Sequence, residues 1–138
     1  MPFPEMMVAP MRRELTSQGF EELRTPEDVD RVLGEKQGTV LVAVNSTCGC
    51  AAGRMRPALL DALQRASKPD RLTTVFAGQD LEATQRARDY FTNEPPSSPS
   101  IAIMKDGELV YMMPRALIER RTPDIIADDL VEALNRFC

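Results

Sequence analysis

The run Thr39-Val40-Leu41-Val42-Ala43-Val44 constrains the fold more than any other part of the chain. Side chains alternate sides along a strand, so this run is apolar on both faces. A strand with no polar face has to be covered on both sides, inside a sheet held between helices. Asn45-Ser46-Thr47-Cys48-Gly49-Cys50-Ala51-Ala52-Gly53 follows at once, and a helix-patterned segment follows that. Two thiols therefore lie on a strand-to-helix turn, where backbone N–H groups and the helix dipole stabilise negative charge. The thiolate is the form of cysteine that attacks and that binds metal. The turn predicts sulfur chemistry.

The neighbouring segments supply the layers. Residues 4–18 predict an N-terminal helix on Met7, Met11 and Leu15, either kinked at Pro10 or regular only from Pro10 onward. Phe20-Glu21-Glu22-Leu23 reads as a short edge strand. Thr25-Pro26-Glu27-Asp28 opens a helix with a capping hydroxyl, a proline at its first position and acids at its positive end. Ala51 to Ala66 has a 3–4 spacing of apolar residues, interrupted by Pro57, which predicts a bent amphipathic helix. A strand over 72–77 and a helix capped by Asp80, with Leu81, Thr84, Ala87 and Phe91 buried, come next. Asp106-Gly107 between two short apolar runs is a hairpin signal. Thr122-Pro123-Asp124 opens a last helix with Ile126, Leu130, Leu134 and Phe137 on one face. The order α-β-α-β-α-β-α-β-β-α predicts one α/β domain over residues 1–138, with a mixed central sheet between helical layers. This order matches the thioredoxin fold with one extra helix at the front.

Absences narrow the chemistry. The chain has no histidine, which excludes Ser-His-Asp and Cys-His nucleophile pairs and any His-ligated metal. A net charge of −4 argues against a nucleic-acid or anionic-membrane surface. Arg12-Arg13 and Arg120-Arg121 read as solvated helix ends. No run is long and apolar enough to cross a membrane, and Met1-Pro2-Phe3-Pro4-Glu5 is unlike a secretory signal. Three cysteines, an odd number, suit a cytoplasmic redox or metal site better than structural disulfides.

Several segments resemble the bacilliredoxins, small thioredoxin-like proteins of bacteria that use the thiol bacillithiol. The resemblance lies in Asn45 to Gly53, Val75-Phe76-Ala77-Gly78-Gln79-Asp80, Pro96-Ser97-Ser98-Pro99-Ser100, Met113-Pro114-Arg115 and Val8 to Leu15, and extends to the C-terminal Cys138. It implies removal of bacillithiol from S-bacillithiolated proteins, with disulfide isomerase activity as a further implication. Bacillithiol would then be a co-substrate, with no resident cofactor and no metal, and the partners would be bacillithiolated or disulfide-bonded client proteins. In thioredoxin-like proteins a cis-proline precedes the hairpin and packs beside the cysteines. Pro99, 51 residues after Cys48, stands in that place.

The residues support the same chemistry. Cys48 precedes the helix and should be the more exposed thiol, so it is assigned as nucleophile, with Cys50 or a second bacillithiol resolving the adduct. Thiolates in such settings often have pKa values of roughly 3.5–7.5. Gly49 is expected to supply an unusual backbone conformation that lets residues two apart bridge, giving a strained and weakly reducing pair. Cys138 could be a free surface thiol, a resolving cysteine or an intermolecular contact. Arg54, Arg56 and Arg115 could approach an acidic ligand but read first as surface arginines. Two other classes compete with redox exchange. One is a thiolate site for Zn, Cu or an Fe–S cluster on Cys48, Cys50 and Cys138. The other is a non-catalytic thioredoxin-like interaction module.

Overall fold

The computed structural model describes residues 2–138. In chain order its elements are α1 (Glu5–Thr16), β1 (Glu21–Glu22), α2 (Pro26–Leu33), β2 (Thr39–Asn45), a π-helical turn (Ala51–Met55) running into α3 (Arg56–Arg65), β3 (Arg71–Phe76), α4 (Leu81–Asp89), β4 (Ser100–Lys105), β5 (Glu108–Met113), α5 (Arg115–Glu119) and α6 (Pro123–Phe137). The five strands form one sheet in the order β1-β3-β2-β4-β5. β1, β3 and β2 run parallel, while β4 and β5 are antiparallel additions. The mixed sheet and the N-terminal helix are those expected from the sequence.

β2 is central and buried at every position. Its alternation divides the core in two. Leu41 and Ala43 join Ile101, Ile103 and Met113 under α3 and α6, with Leu15 of α1 in the same cluster. Val40, Val42 and Val44 face the opposite way and join Val75, Ala102 and Met104 under α2 and α4. Burial of such side chains, each stabilising by about 1.5–3 kcal/mol, fixes the strand's position. It also fixes where the cysteine turn emerges, at the C-terminal end of the central strand.

Thr25 caps α2, its hydroxyl accepting from Asp28 N at 3.1 Å. α1 is continuous from Glu5 to Thr16 with Pro10 inside it, and its buried face is Val8, Arg12 and Leu15 rather than Met7, Met11 and Leu15. Leu81 is exposed, and Ala83 takes its place in the buried stripe of α4. α5 is an addition to the elements that the sequence pattern predicts. The expected helix after the cysteines opens with the π-helical turn because Pro57 has no amide for the Gly53 carbonyl, and Arg56 N reaches back five residues to Ala51 O. The hairpin turn has Asp106 at φ 50° and Gly107 at φ 87°, the left-handed pair that two-residue hairpins require. A Cβ at Gly107 would stand 2.8 Å from Lys36 Cβ. Gly107→Ala is expected to destabilise by about 1–2 kcal/mol, to be read by urea denaturation.

Candidate active site

The cysteine turn rests on buried polar side chains. Asn45, the last residue of β2, is 1% exposed. Its Nδ2 donates to Met11 O of α1 at 3.2 Å, and its Oδ1 accepts from Ser46 N at 2.9 Å and from Arg56 Nη1 at 2.7 Å. Arg56 Nη1 also donates to Ser46 O at 3.1 Å. Arg56 is itself 1% exposed, and its Nε faces Glu14 Oε1 of α1 at 3.1 Å. The reading of Arg56 as a surface arginine is thus corrected. The guanidinium lies beneath the turn, where its donors satisfy backbone and side-chain oxygens that water does not reach.

From this base the chain turns into the helix. Ser46 Oγ accepts from Cys48 N at 3.1 Å. The Cys48 carbonyl accepts from Ala51 N at 3.0 Å and from Ala52 N at 3.2 Å, so Cys48 starts the first helical turn. Cys50 N lies 3.3 Å from Cys48 Sγ. The sulfur occupies the place where a capping Ser or Asp oxygen accepts from the second residue of a helix. Cys48 is half-buried, Gly49 exposed and Cys50 buried. The two cysteines are joined as a disulfide, with their Cα atoms 5.3 Å apart.

Gly49 departs from expectation. Its φ is outside the left-handed region, and a Cβ there would meet no atom within 4 Å. The bridge needs no special backbone at the spacer. Helical radius and rise alone put Cα atoms two residues apart at about 5.4 Å, inside the usual disulfide range of about 4.4–6.8 Å. The spacer backbone is thus ordinary and not the unusual conformation expected of Gly49.

Pro99 is buried, and the Ser98–Pro99 peptide is cis. Ser100 pairs with Val44 across the antiparallel β2–β4 ladder. One further step of that register sets Pro99 opposite Asn45, where the cysteine turn leaves. Arg115 holds the approach to this peptide. Its N donates to Ser97 Oγ at 2.7 Å, its Nη1 to Ser98 O at 3.3 Å, and its Nε pairs with Glu119 at 3.1 Å. Arg54 Nη1 donates to the Glu119 carbonyl. Arg54 and Arg115 thus tie the π-helical turn, α5 and the Ser97–Ser98 loop together on one side of the site.

Cys138 lies elsewhere. Partial burial pushes its thiol up, against a hydrogen bond with Thr39, and Asp70 and Lys105 stand near it. Thr39 begins β2 and Asn45 ends it. Six strand steps of about 3.3 Å separate those ends by roughly 20 Å. The third thiol is therefore at the opposite end of the sheet from the pair. A resolving role within the chain would need a large displacement, and the three-thiolate metal set is not assembled. Among the described residues no group of three or more His, Cys, Asp or Glu side chains could hold a metal ion, and no helix is long and apolar enough to cross a membrane.

The chain is similar to several known proteins. The disulphide isomerase family matches residues 3–138. A bacilliredoxin of Koribacter versatilis is 54% identical over 136 residues, covering 99% of this chain and 94% of its own. A bacilliredoxin of Salinibacter ruber is 53% identical over 140 residues, covering 100% of this chain and 82% of its own. Mitochondrial thioredoxin 3 of Saccharomyces cerevisiae superposes with a TM-score of 0.57 at 18% identity, over 88% of this chain and 99% of that one. The thioredoxin of Fasciola hepatica gives 0.56 at 17% identity, over 86% and 100%. The expected thioredoxin-like fold is therefore the observed one. A family match over residues 3–138, with relatives about half identical along nearly the whole length, makes this chain a member of the bacilliredoxin family and a thiol-disulfide oxidoreductase.

Proposed function

We propose that the chain removes bacillithiol from S-bacillithiolated proteins, with Cys48 as nucleophile and Cys50 as resolving thiol. One observation carries the assignment of roles. Cys48 is the more exposed sulfur of a bonded pair, and it sits at the start of a helix with a backbone N–H on its Sγ. Such a donor favours the thiolate. In the first step the Cys48 thiolate attacks the bacillithiol sulfur of the client mixed disulfide, and the client leaves as a thiolate that takes up a proton. In the second, the Cys50 thiolate attacks Cys48 Sγ and expels bacillithiol, leaving the Cys48–Cys50 disulfide. A thiol reductant then returns two electrons and two protons. The relatives named bacilliredoxins support this choice of small thiol. The family's description as disulphide isomerase supports a second use of the same Cys48 thiolate, the opening and re-pairing of wrong disulfides in clients. No bound cofactor is needed for either, and the cytoplasm is the compartment in which such a pair would be re-reduced.

The test is a trap. Cys50→Ala is mixed with a bacillithiolated client in the absence of free thiol, and the protein is digested for mass spectrometry. A bacillithiol adduct on Cys48 together with free client thiol is expected. Client thiol release with no adduct on Cys48, or an adduct on Cys138, would overturn the assignment.

A further inference from the structure

Arg56 and Glu14 form a charge pair that the exchange steps above do not use. Arg56 precedes Pro57 and is 1% exposed. Its Nη1 is spent on two neutral oxygens, Asn45 Oδ1 and Ser46 O, and among the described residues its only carboxylate within ion-pairing distance is Glu14 at 3.1 Å. The Glu14 side chain is 46% exposed, so water screens it while the cation stays buried. An arginine cannot shed its charge to relieve such an imbalance. The residue it grips, Ser46, is the one whose hydroxyl accepts from Cys48 N.

We propose that Arg56 is a positioning residue for the thiol exchange: its buried guanidinium fixes the Asn45–Ser46 backbone under Cys48 and biases Cys48 towards the thiolate, with Glu14 as a partial counter-charge carried by the N-terminal helix. The inference rests on Cys48 being the attacking thiol. In a chain without histidine, the positive field at the thiol comes from the helix N-terminus and from arginine. Of the other charged groups around the turn, most are ion-paired, and Arg54, bonded to a neutral carbonyl, is only half-buried. Arg115 pairs with Glu119 on α5, and Arg54 donates to the Glu119 carbonyl. Arg12 of α1 is enclosed by Glu5, Glu22 and Asp80. On α6, Asp128 and Asp129 pair with Arg65 and Arg121. Arg56 remains as the buried cation in hydrogen-bond contact with the turn itself. α1 gains a role from this, since it meets the turn twice, through Met11 O on Asn45 and Glu14 on Arg56.

The experiment measures the alkylation rate of Cys48 by iodoacetamide against pH, in a Cys50→Ala, Cys138→Ser background. The thiolate displaces iodide, so the rate follows the thiolate fraction. Arg56→Met is expected to move the midpoint up by about one pH unit, a roughly tenfold loss of thiolate below both midpoints, and Arg56→Lys is expected to restore most of the shift. Glu14→Gln is expected to move the midpoint the other way, by a smaller amount, because it removes the counter-charge and leaves the cation. Loosened packing would not give opposite signs from the two partners. An unchanged or raised midpoint in Glu14→Gln overturns the proposal. That variant decides the matter even if Arg56→Met does not fold, since Glu14 is half-exposed. The assay contains neither client nor bacillithiol, so failure of the de-bacillithiolation reading would leave it intact.

Discussion

Replacing Cys48 with serine is expected to slow client de-bacillithiolation on the order of a thousandfold or more, the scale on which removal of an enzyme nucleophile acts, while Cys138→Ser leaves the rate unchanged. The contrast follows from placement. Cys48 starts the helix, is the more exposed sulfur of the pair and has Cys50 N 3.3 Å from its Sγ. Cys138 stands beside Thr39 at the other end of β2, with its thiol held up by partial burial, which disfavours the attacking form. Cys50 cannot substitute for Cys48, because it is buried in the first helical turn. The measurement is release of client thiol from a bacillithiolated protein, followed with a chromogenic thiol reagent. Retention of more than roughly a tenth of the wild-type rate by Cys48→Ser would contradict the mechanism, as would a comparable loss in Cys138→Ser.

What the sequence made legible was whatever depends on local pattern. Apolar residues at every position from Val40 to Val44 can be accommodated only in a covered central strand, so the sandwich and the exit of the cysteine turn followed from them. Asp106-Gly107 adopts a left-handed pair that few other residues reach so readily, and Thr25-Pro26 brings a capping hydroxyl and a preset φ to the first helical turn. The buried arginines were missed for the opposite reason. A charged residue reads as solvated until its partners are known, and those partners are remote: Asp80 is 68 residues from Arg12, and Glu14 is 42 from Arg56. A spacing signal was nonetheless present. Arg12 falls four after Val8 and three before Leu15, and Arg56 falls three before Leu59 and seven before Leu63, so both lie on apolar stripes. Gly49 shows the converse error. A glycine between two cysteines suggested special backbone, yet an ordinary helical turn already sets the span. α5 is five residues long, too short for periodicity to reveal.

Arg12→Met is expected to be the most destabilising single substitution outside the apolar core, lowering stability by about 3–5 kcal/mol out of a typical total of about 5–15 kcal/mol. Arg12 is 4% exposed and sits among three carboxylates, with Glu5 and Glu22 at 2.8 and 2.7 Å and Asp80 at 2.7 Å. Its guanidinium also lies 5.2 Å from the centre of the Phe76 ring. These partners come from α1, β1, the end of β3 and the start of α4, so one side chain fastens the extra helix to the C-terminal edge of the sheet. Asp80 heads α4 without capping it through its side chain, because its carboxylate is turned to Arg12. Methionine would fill the space of the arginine stem but leave the mostly buried Glu22 without its cation and the mostly buried Asp80 with only Arg24, 3.8 Å away. The loss should depend on pH. The hydrogen bond from Arg12 holds Glu5 below the usual carboxylate range. A carboxylate whose folded pKa lies below its unfolded value stabilises fully above the unfolded value and loses that contribution as pH falls through the folded one. Wild type should therefore lose stability on acidification below about pH 4, and the gap to Arg12→Met should narrow there, because the variant has less of this contribution to lose. Thermal unfolding of both proteins between neutral and acid pH reads the effect. A gap that stays constant, or widens in acid, would mean that Arg12 acts through packing rather than through its charge.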